Sequence, residues 1–267
     1  KLLELKLNEV WKYRDLIFLF VQRDFKTKYK QTILGPLWFI IQPLFTTIIY
    51  TLVFGNLAGL STDGLPQFLF YMAGNVSWLY FSTCLTTTSN TFAGNAGVFG
   101  KVYFPRLTTP ISTVITSMLN FFIQFAMFLI FELYYLIIGA NIHINWYVLL
   151  TPVLVIQMAL LGLGFGIIIS SLTTKYRDLQ VLVSFGVSLW MYATPIVYAS
   201  SSLSQKAYRI LMFNPIAPII EIMRYGWLGA GKVSLLYWGI SWVMTMVVVF
   251  VGIIIFNRVE KTFMDTV

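Results

Sequence analysis

The fold class is decided by residues 133–174, which read LYYLIIGANIHINWYVLLTPVLVIQMALLGLGFGIIISSLTT and contain no Asp, Glu, Lys or Arg. A helix that crosses a membrane needs about 20 mainly apolar residues. The run is long enough for the end of one such helix, a break at GANIHIN (residues 139–145) and a complete second helix. It therefore predicts membrane-spanning helices.

The rest of the chain repeats this pattern. Only 10% of its 267 residues are charged, against about 25% in an ordinary soluble domain, and further uncharged runs separate the charges. We therefore predict an all-α integral membrane protein with six transmembrane helices, forming a single domain over residues 1–267. The predicted spans are 33–54, 68–92, 108–138, 146–172, 179–198 and 235–257.

The distribution of positive charge predicts the orientation. In a six-span chain, 14 Lys and Arg residues lie in segments on one side, and four lie on the other. Short cytoplasmic loops carry the excess of Lys and Arg, so both termini are expected in the cytoplasm. The net charge of +8 is explained by this orientation, and nucleic-acid binding is not expected.

Residues 9–31 form a predicted amphipathic helix before the first span. One face carries Phe18, Val21, Phe25 and Tyr29, and a different face carries Arg23, Lys26 and Lys30. Such a helix suits a membrane surface, where basic side chains meet lipid phosphates. It equally suits docking to a cytoplasmic partner, and the two roles are compatible.

Residues 205–227 are predicted to form two short helices before the last span. The turn between them reads NPIAP at 214–218, and its two prolines disfavour helix at the preceding residues, so they reverse the chain. A re-entrant hairpin and a plain interfacial loop both fit this pattern.

No residue pattern for bond-making chemistry is present. The sequence has no Gly-rich phosphate loop that ends in Lys-Ser or Lys-Thr, and one His and one Cys make no metal cluster. No cofactor is expected in this chain, and we do not expect an enzyme. The loop GNAGVFGKVYFPR at 94–106 is rich in small residues, so it could enter a groove of a partner or be anchored at the interface by Tyr103 and Phe104.

Aromatic residues are abundant in the predicted spans, and charged residues are rare. A passage lined by rings would suit sugars, which have apolar C–H faces beside hydroxyls. Trp38 also fits an interfacial belt, and helix packing is the alternative for each of the others. The residues kept as candidates for a passage are Trp38, Tyr50, Trp78, Tyr80 and Tyr134.

Glu132 is the one charged residue well inside a predicted span. Its carboxylate could reach toward the outer interface, bond a neighbouring helix or serve transport.

An ordered set of motifs resembles one family. These motifs are RDFKTKYKQTILGPLW at 23–38, KVYFPR at 101–106, YRDL at 176–179, YATPIVY at 192–198, Asn214-Pro215 and Arg224-Tyr225. Together they resemble the ABC-2 type permeases of polysaccharide and polyol-phosphate exporters, and they extend over most of the chain in the same order.

The resemblance implies a homodimer in the cell inner membrane with two separate ATPase subunits, which would bind ATP and Mg, and a lipid-linked polysaccharide such as O-antigen as substrate. It implies that the N-terminal helix is an interface helix, that 94–106 is a coupling element and that 205–227 is an outer gate. The implied coupling residues are Arg23, Lys26, Lys30, Gly97, Phe99, Gly100, Lys101, Tyr103 and Arg106. The implied gate residues are Arg209, Asn214, Pro215, Pro218, Glu221 and Arg224.

Three alternatives remain at this stage. The first is a teichoic acid or capsule exporter of the same class, and the second is a permease for drugs or lipids. The third is a polytopic enzyme that acts on lipid-linked glycans, which would need Arg209, Glu221 and Arg224 to cluster near one interface.

Overall fold

The structure, a computed structural model, describes residues 7–29, 35–99, 104–173 and 178–264. Within these ranges it is helical and contains no strand, as the uncharged runs predict. The eleven α-helices of the described ranges are α1 (Leu7–Lys12), α2 (Arg14–Tyr29), α3 (Trp38–Tyr50), α4 (Gln67–Ser89), α5 (Thr91–Phe99), α6 (Thr108–Ile137), α7 (Thr151–Thr173), α8 (Leu179–Tyr192), α9 (Gln205–Met212), α10 (Ala217–Leu228) and α11 (Leu235–Met264).

Four helical stretches in these ranges have the length and apolar composition needed to cross a membrane. They are Trp38–Leu57, Thr108–Ile137, Trp146–Thr173 and Leu235–Val259. The chain is therefore described as a multi-pass membrane protein. The two other predicted spans take a different form: α4 is long but less apolar, and α8 has 14 residues, or about 21 Å of helix.

Helix α4 is less apolar because other helices surround it. It packs against α3, α6, α7 and α10, and most of its residues are buried. Its polar side chains bond within the protein: Ser77 donates to the Ala73 carbonyl at 2.9 Å, and Asn75 donates to the Pro43 carbonyl at 3.2 Å. A helix shielded from lipid in this way does not need a uniformly apolar surface.

Glycines allow α7 to approach its two neighbours closely. A Cβ on Gly162 would lie 2.7 Å from Cβ of Cys84, and one on Gly166 would overlap Thr88, so both glycines face α4. Gly164 faces α11, where a Cβ would lie 2.9 Å from Val248. Small residues at a spacing of four are typical of tightly packed membrane helices, and here they hold α4, α7 and α11 together.

Helix α3 is irregular along its length. Pro43 lies inside it, and residues Thr51–Leu57 continue it as a π-helix. Proline has no backbone N–H to donate within a helix, and π-helical turns are rare in proteins. The Pro43 carbonyl accepts the Thr47 hydroxyl at 2.7 Å as well as Asn75, so the bend is held against α4.

Candidate functional site

The hairpin of α9 and α10 (residues 205–228) has clear local signals at its ends. Ser204 begins α9, with its hydroxyl accepting from the Ala207 amide at 3.4 Å. Pro218 lies in the first turn of α10, where its missing amide is harmless. Gly229 ends α10 with a φ of 82°, in the left-handed region that glycine tolerates.

Asn214 joins the hairpin turn to the end of α8. Its Oδ1 accepts from Nε1 of Trp190 at 2.9 Å, and its Nδ2 donates to the Ala193 carbonyl and to the Thr194 hydroxyl, each at 2.9 Å. One amide side chain thus forms hydrogen bonds with three groups, one in the last turn of α8 and two just after that helix. The predicted span 179–198 therefore stops as a helix at Tyr192, because the next residues bond to the hairpin instead.

Arg224 and Glu221 form a buried ion pair within α10. Their Nη1 and Oε1 atoms lie 3.3 Å apart, and each residue is 2% exposed. Arg224 also donates through Nη2 to the carbonyls of Pro195 at 2.9 Å and Ile196 at 3.3 Å. Buried carbonyls outside a helix need donors, and the guanidinium supplies them here.

Further contacts complete this cluster. The Ser200 hydroxyl donates to Oε2 of Glu221 at 2.8 Å, and the guanidinium carbon of Arg224 lies 3.8 Å from the ring centroid of Phe70. The Ser201 hydroxyl donates to the Asp63 carboxylate. We call residues 193–202 the clamped segment, because Asn214 and the Glu221–Arg224 pair hold it from two sides.

The last turn of α10 is capped by the loop that precedes α7. Nδ2 of Asn145 donates to the Tyr225 carbonyl at 2.8 Å, and the Asn145 amide donates to Gly226 at 3.0 Å. The His143 amide donates to the Leu228 carbonyl at 3.2 Å. His143 thus serves the fold through its backbone.

The other predicted gate residues have different surroundings. Pro218 is buried, and the Pro215 carbonyl accepts the Ser241 hydroxyl from α11. Arg209 is exposed on α9. The structure therefore brings Glu221 and Arg224 together but leaves Arg209 apart from the buried pair.

The N-terminal helices lie against the end of the bundle. Val10 and Phe20 are buried in one cluster with Phe104, Leu107 and Phe256. The rings of Phe20 and Phe104 meet edge to face with centroids 5.6 Å apart. Predicted stripe residue Val21 is buried, but Phe18 is 64% exposed, because the break at residue 13 and the docking of α1 set which face turns inward.

The basic side of α2 stays open. Arg23 and Lys26 are exposed, and Arg23 pairs with Asp24 at 2.8 Å while its guanidinium lies 4.7 Å from the Phe20 ring centroid. Lys30 lies outside the described residues. The helix thus presents cations on the surface opposite its packed face.

The first half of the predicted coupling loop is helical. Helix α5 contains Gly97, which is exposed, and a Cβ on it would meet no atom of the described chain within 4 Å. Arg106 is buried, and its coupling role stays a prediction. Phe99 ends α5, and Gly100, Lys101 and Tyr103 lie outside the described residues.

The five candidate passage rings are not gathered in one place. Trp38 and Tyr134 are exposed, and Tyr50 is half-buried, with its hydroxyl 3.0 Å from Sδ of Met191. Trp78 is buried beside Trp190, with ring centroids 6.3 Å apart. Tyr80 is buried at a groove between α4 and α6.

The family model described as "ABC-2 type transporter" matches residues 15–228 of this chain. The chain belongs to the ABC-2 type transporter family. The matched part begins in α2 and ends with α10, so it contains the N-terminal surface, α5 and the α9–α10 hairpin.

Curated proteins resemble this ABC-2 chain over nearly its full length. It is 30% identical to the O-antigen export system permease protein RfbA of Klebsiella pneumoniae over 94% of each chain. It is also 30% identical to a protein of that name from Myxococcus xanthus, over 81% of this chain and 80% of the relative. The polysialic acid transport protein KpsM of Escherichia coli is 23% identical over 91% and 93%.

Glu132 lies in helix α6 of this ABC-2 chain. It is 2% exposed, and its Oε1 has no hydrogen-bond partner among the residues that the structure describes. The side chain is therefore buried within the protein, and its transport role stays a prediction.

Two features of the site were not anticipated from the sequence. One is the clamped segment, whose donors are 12 or more residues away along the chain. The other is the glycine set of α7, although the letters GLGFG at 162–166 carried a usable signal. Small residues four apart in an apolar helix predict close helix packing.

Proposed function

We propose that this chain is the transmembrane subunit of an ATP-driven exporter that moves a lipid-linked, O-antigen-like polysaccharide outward across the inner membrane. The observation that carries the proposal is the match to O-antigen export permeases over 94% of both chains. A relationship over the full length of both chains supports a shared task more strongly than a shared segment does.

The energy for export enters from separate ATPase subunits, which bind ATP and Mg. The sequence has no phosphate loop of its own. Two exposed surfaces support docking of such a subunit: the Arg23 and Lys26 side of α2, and α5 around Gly97. A glycine without neighbours allows a partner's backbone to approach closely.

Helix α6 provides a mechanical link from these surfaces to the hairpin. Near its beginning, Leu107 lies in the cluster that holds α1 and α2. Further along, the ring centroid of Phe125 is 5.2 Å from that of Trp227 in α10. A helix of 30 residues is about 45 Å long, so a tilt imposed at its base also moves the hairpin.

Six spans are proposed for the membrane topology, with both termini in the cytoplasm. Helices α4 and α8 join the four apolar spans, α4 inside the bundle and α8 extended by the clamped segment. The hairpin then lies at the outer side and serves as the gate. The excess of Lys and Arg in the opposite segments supports this orientation.

Helix α8 supports pairing of two copies. None of its residues is buried, and Phe185 is 62% exposed. Ser184 and Ser188 are small, exposed and four residues apart, a spacing that favours close helix contact in membranes. We propose that the two copies meet along α8 and the adjacent surface of α3.

The test is complementation. Cells that lack the native permease receive the chain with its cognate ATPase subunit, with a hydrolysis-deficient ATPase, or alone, and surface glycan is measured. Export is expected only with the active ATPase. Export by the chain alone would contradict the proposal.

The enzyme alternative is disfavoured by the geometry of its three residues. Arg209 is exposed, whereas Glu221 and Arg224 are buried and paired with each other, so no open cationic site forms for a lipid pyrophosphate. A capsule exporter remains the second candidate, favoured by the likeness to the polysialic acid transport protein. Complementation of O-antigen-deficient and capsule-deficient hosts distinguishes the two.

A further inference from the structure

A polar groove of about 270 Å³ lies between α3, α4 and α6. Its polar lining comes from Gln42 of α3, from Tyr80 and Thr83 of α4 and from Ser117, Asn120 and Gln124 of α6. In a membrane-spanning bundle, such a concentration of hydroxyl and amide groups is expensive unless the groups bond to each other or to a ligand.

Two of these groups are buried with little or no hydrogen bonding. Oδ1 of Asn120 makes no hydrogen bond with any residue that the structure describes, and the partner of the Tyr80 hydroxyl is the weakly polar Cys84 thiol. Tyr80 is 2% exposed and Asn120 is 6% exposed. Buried polar groups are nearly always satisfied in native proteins, so these two groups favour a polar ligand in the groove.

The lining indicates the chemistry of that molecule. Among the described residues, no charged side chain lines the groove, and rings stand beside the polar groups: Phe39 lines it, and the Tyr80 and Phe121 centroids are 4.8 Å apart. Rings provide flat apolar contact, while hydroxyl and amide groups both donate and accept. A neutral molecule with many hydroxyls and apolar C–H faces fits this combination, and an ion does not.

The polar lining continues along α6 toward the N-terminal helices. A second groove of about 200 Å³ is lined by Asp24 and Thr27 of α2 and by Thr87, Thr113 and Thr116. Residues 113, 116, 117, 120 and 124 of α6 recur at intervals of three and four, which places them on one helical face. A polar strip therefore leads from the surface of α2 to Tyr80.

We propose that the groove at Tyr80 and Asn120 is a binding site for neutral sugar residues, reached along α6 from the side of the N-terminal helices. The site lies within one subunit. This inference rests on the proposed function, since the glycan is taken as the source of the sugars.

The first experiment is crosslinking in cells that make the glycan. p-Benzoylphenylalanine replaces Tyr80 or Thr83 in the complete transporter, glycans are labelled with tritiated glucose, and the labelled subunit is measured after irradiation. Label at 80 and 83 is expected to exceed that at the control position Tyr135 at least tenfold. Equal label at all three positions in exporting cells would overturn the site.

The second experiment separates binding from folding. Asn120→Leu removes a buried oxygen that lacks a partner among the described residues, and Tyr80→Phe removes a hydroxyl whose partner is a weakly polar thiol. Thermal stability is therefore expected to stay nearly the same or rise. Export is expected to fall about fivefold for each lost hydrogen bond to the sugar, whereas Tyr135→Phe leaves both unchanged. Wild-type export by both groove variants would mean that the groove holds only water.

The failure of each proposal has its own signature. If the unaltered chain exports no glycan with its ATPase, the proposed function fails. If the unaltered chain exports glycan, but the groove variants export equally well and capture no label, the groove proposal alone fails.

Discussion

Arg224 interacts with polar groups on two parts of the chain. It pairs with Glu221 and bonds two carbonyls of the clamped segment. A cavity for it exists because residue 74 is glycine: a Cβ there would lie 2.8 Å from Nη2 of Arg224. The arginine is thus built into the bundle, and its removal leaves the buried Glu221 carboxylate without its cation and two carbonyls without this donor.

We expect Arg224→Leu to lower the free energy of unfolding by about 3–5 kcal/mol, because an uncompensated buried carboxylate remains. The double variant Glu221→Gln, Arg224→Leu should be less destabilised than the single one. Thermal unfolding of the purified protein measures both. Arg209→Leu, an exposed arginine of the same hairpin, is the control and should change stability by about 0.5 kcal/mol or less.

Equal stability of Arg224→Leu and Arg209→Leu would show that the clamped segment does not depend on the ion pair.

Glu132 permits a test of whether a buried acid has a transport role. Its Oε1 lacks a partner among the described residues, so Glu132→Gln keeps the shape and removes the penalty of a buried charge. We expect export within about twofold of wild type and unchanged or higher thermal stability. A loss of export beyond about tenfold with intact folding would instead assign proton transfer to this carboxyl.

Close packing between helices depends on the glycines of α7. Gly166→Leu would force a side chain into Thr88 and the Leu85 carbonyl of α4, and we expect a loss of about 1–3 kcal/mol or more from overpacking. Folded yield and thermal unfolding measure it. Gly239→Leu is the matched control, since a Cβ at Gly239 meets no atom of the described chain within 4 Å.

Helix α5 allows the docking hypothesis to be tested without harm to the fold. Gly97→Trp meets open space within the described chain, so stability should hold within about 0.5 kcal/mol, as for other exposed surface changes. Copurified ATPase and glycan export should both fall, at least tenfold for export. Gly97→Ala is the control and should retain both activities.

A Gly97→Trp protein that binds its ATPase and exports normally would exclude α5 from the interface.

For the whole molecule, the pairing surface is open to a direct test. In a Cys84→Ala background, a single cysteine replaces Ser184 or Ser188 on α8, and membranes are treated with an oxidant. Disulfide-linked dimers are expected at one or both positions, because facing copies place these small residues near each other. Cysteine at Leu133, exposed on α6, is the control that should remain monomeric.

The membrane class of the whole chain followed from its charge-free runs, and the prolines at 215 and 218 predicted the chain reversal between two short helices. The non-helical form of residues 193–202 was harder to predict from the sequence. YATPIVY reads as an apolar continuation of α8, whereas two distant donors, Asn214 and Arg224, help to stabilise its non-helical form. The apolar periodicity of α2 placed Phe18 and Val21 on one face, but Val21 is buried and Phe18 is exposed. The reason is similar, since docking of α1 decides which side of α2 is covered.

The enclosed, hydroxyl-rich character of α4 has a consequence for biosynthesis. A segment with Asn75, four threonines and three serines enters lipid poorly when it leaves the ribosome tunnel alone, because its side chains have no partners there. Its stable insertion should wait for α3 and then α6 and α7. Truncated nascent chains that end before α6 are accordingly expected to leave α4 outside the bilayer, where quality-control proteases can reach it.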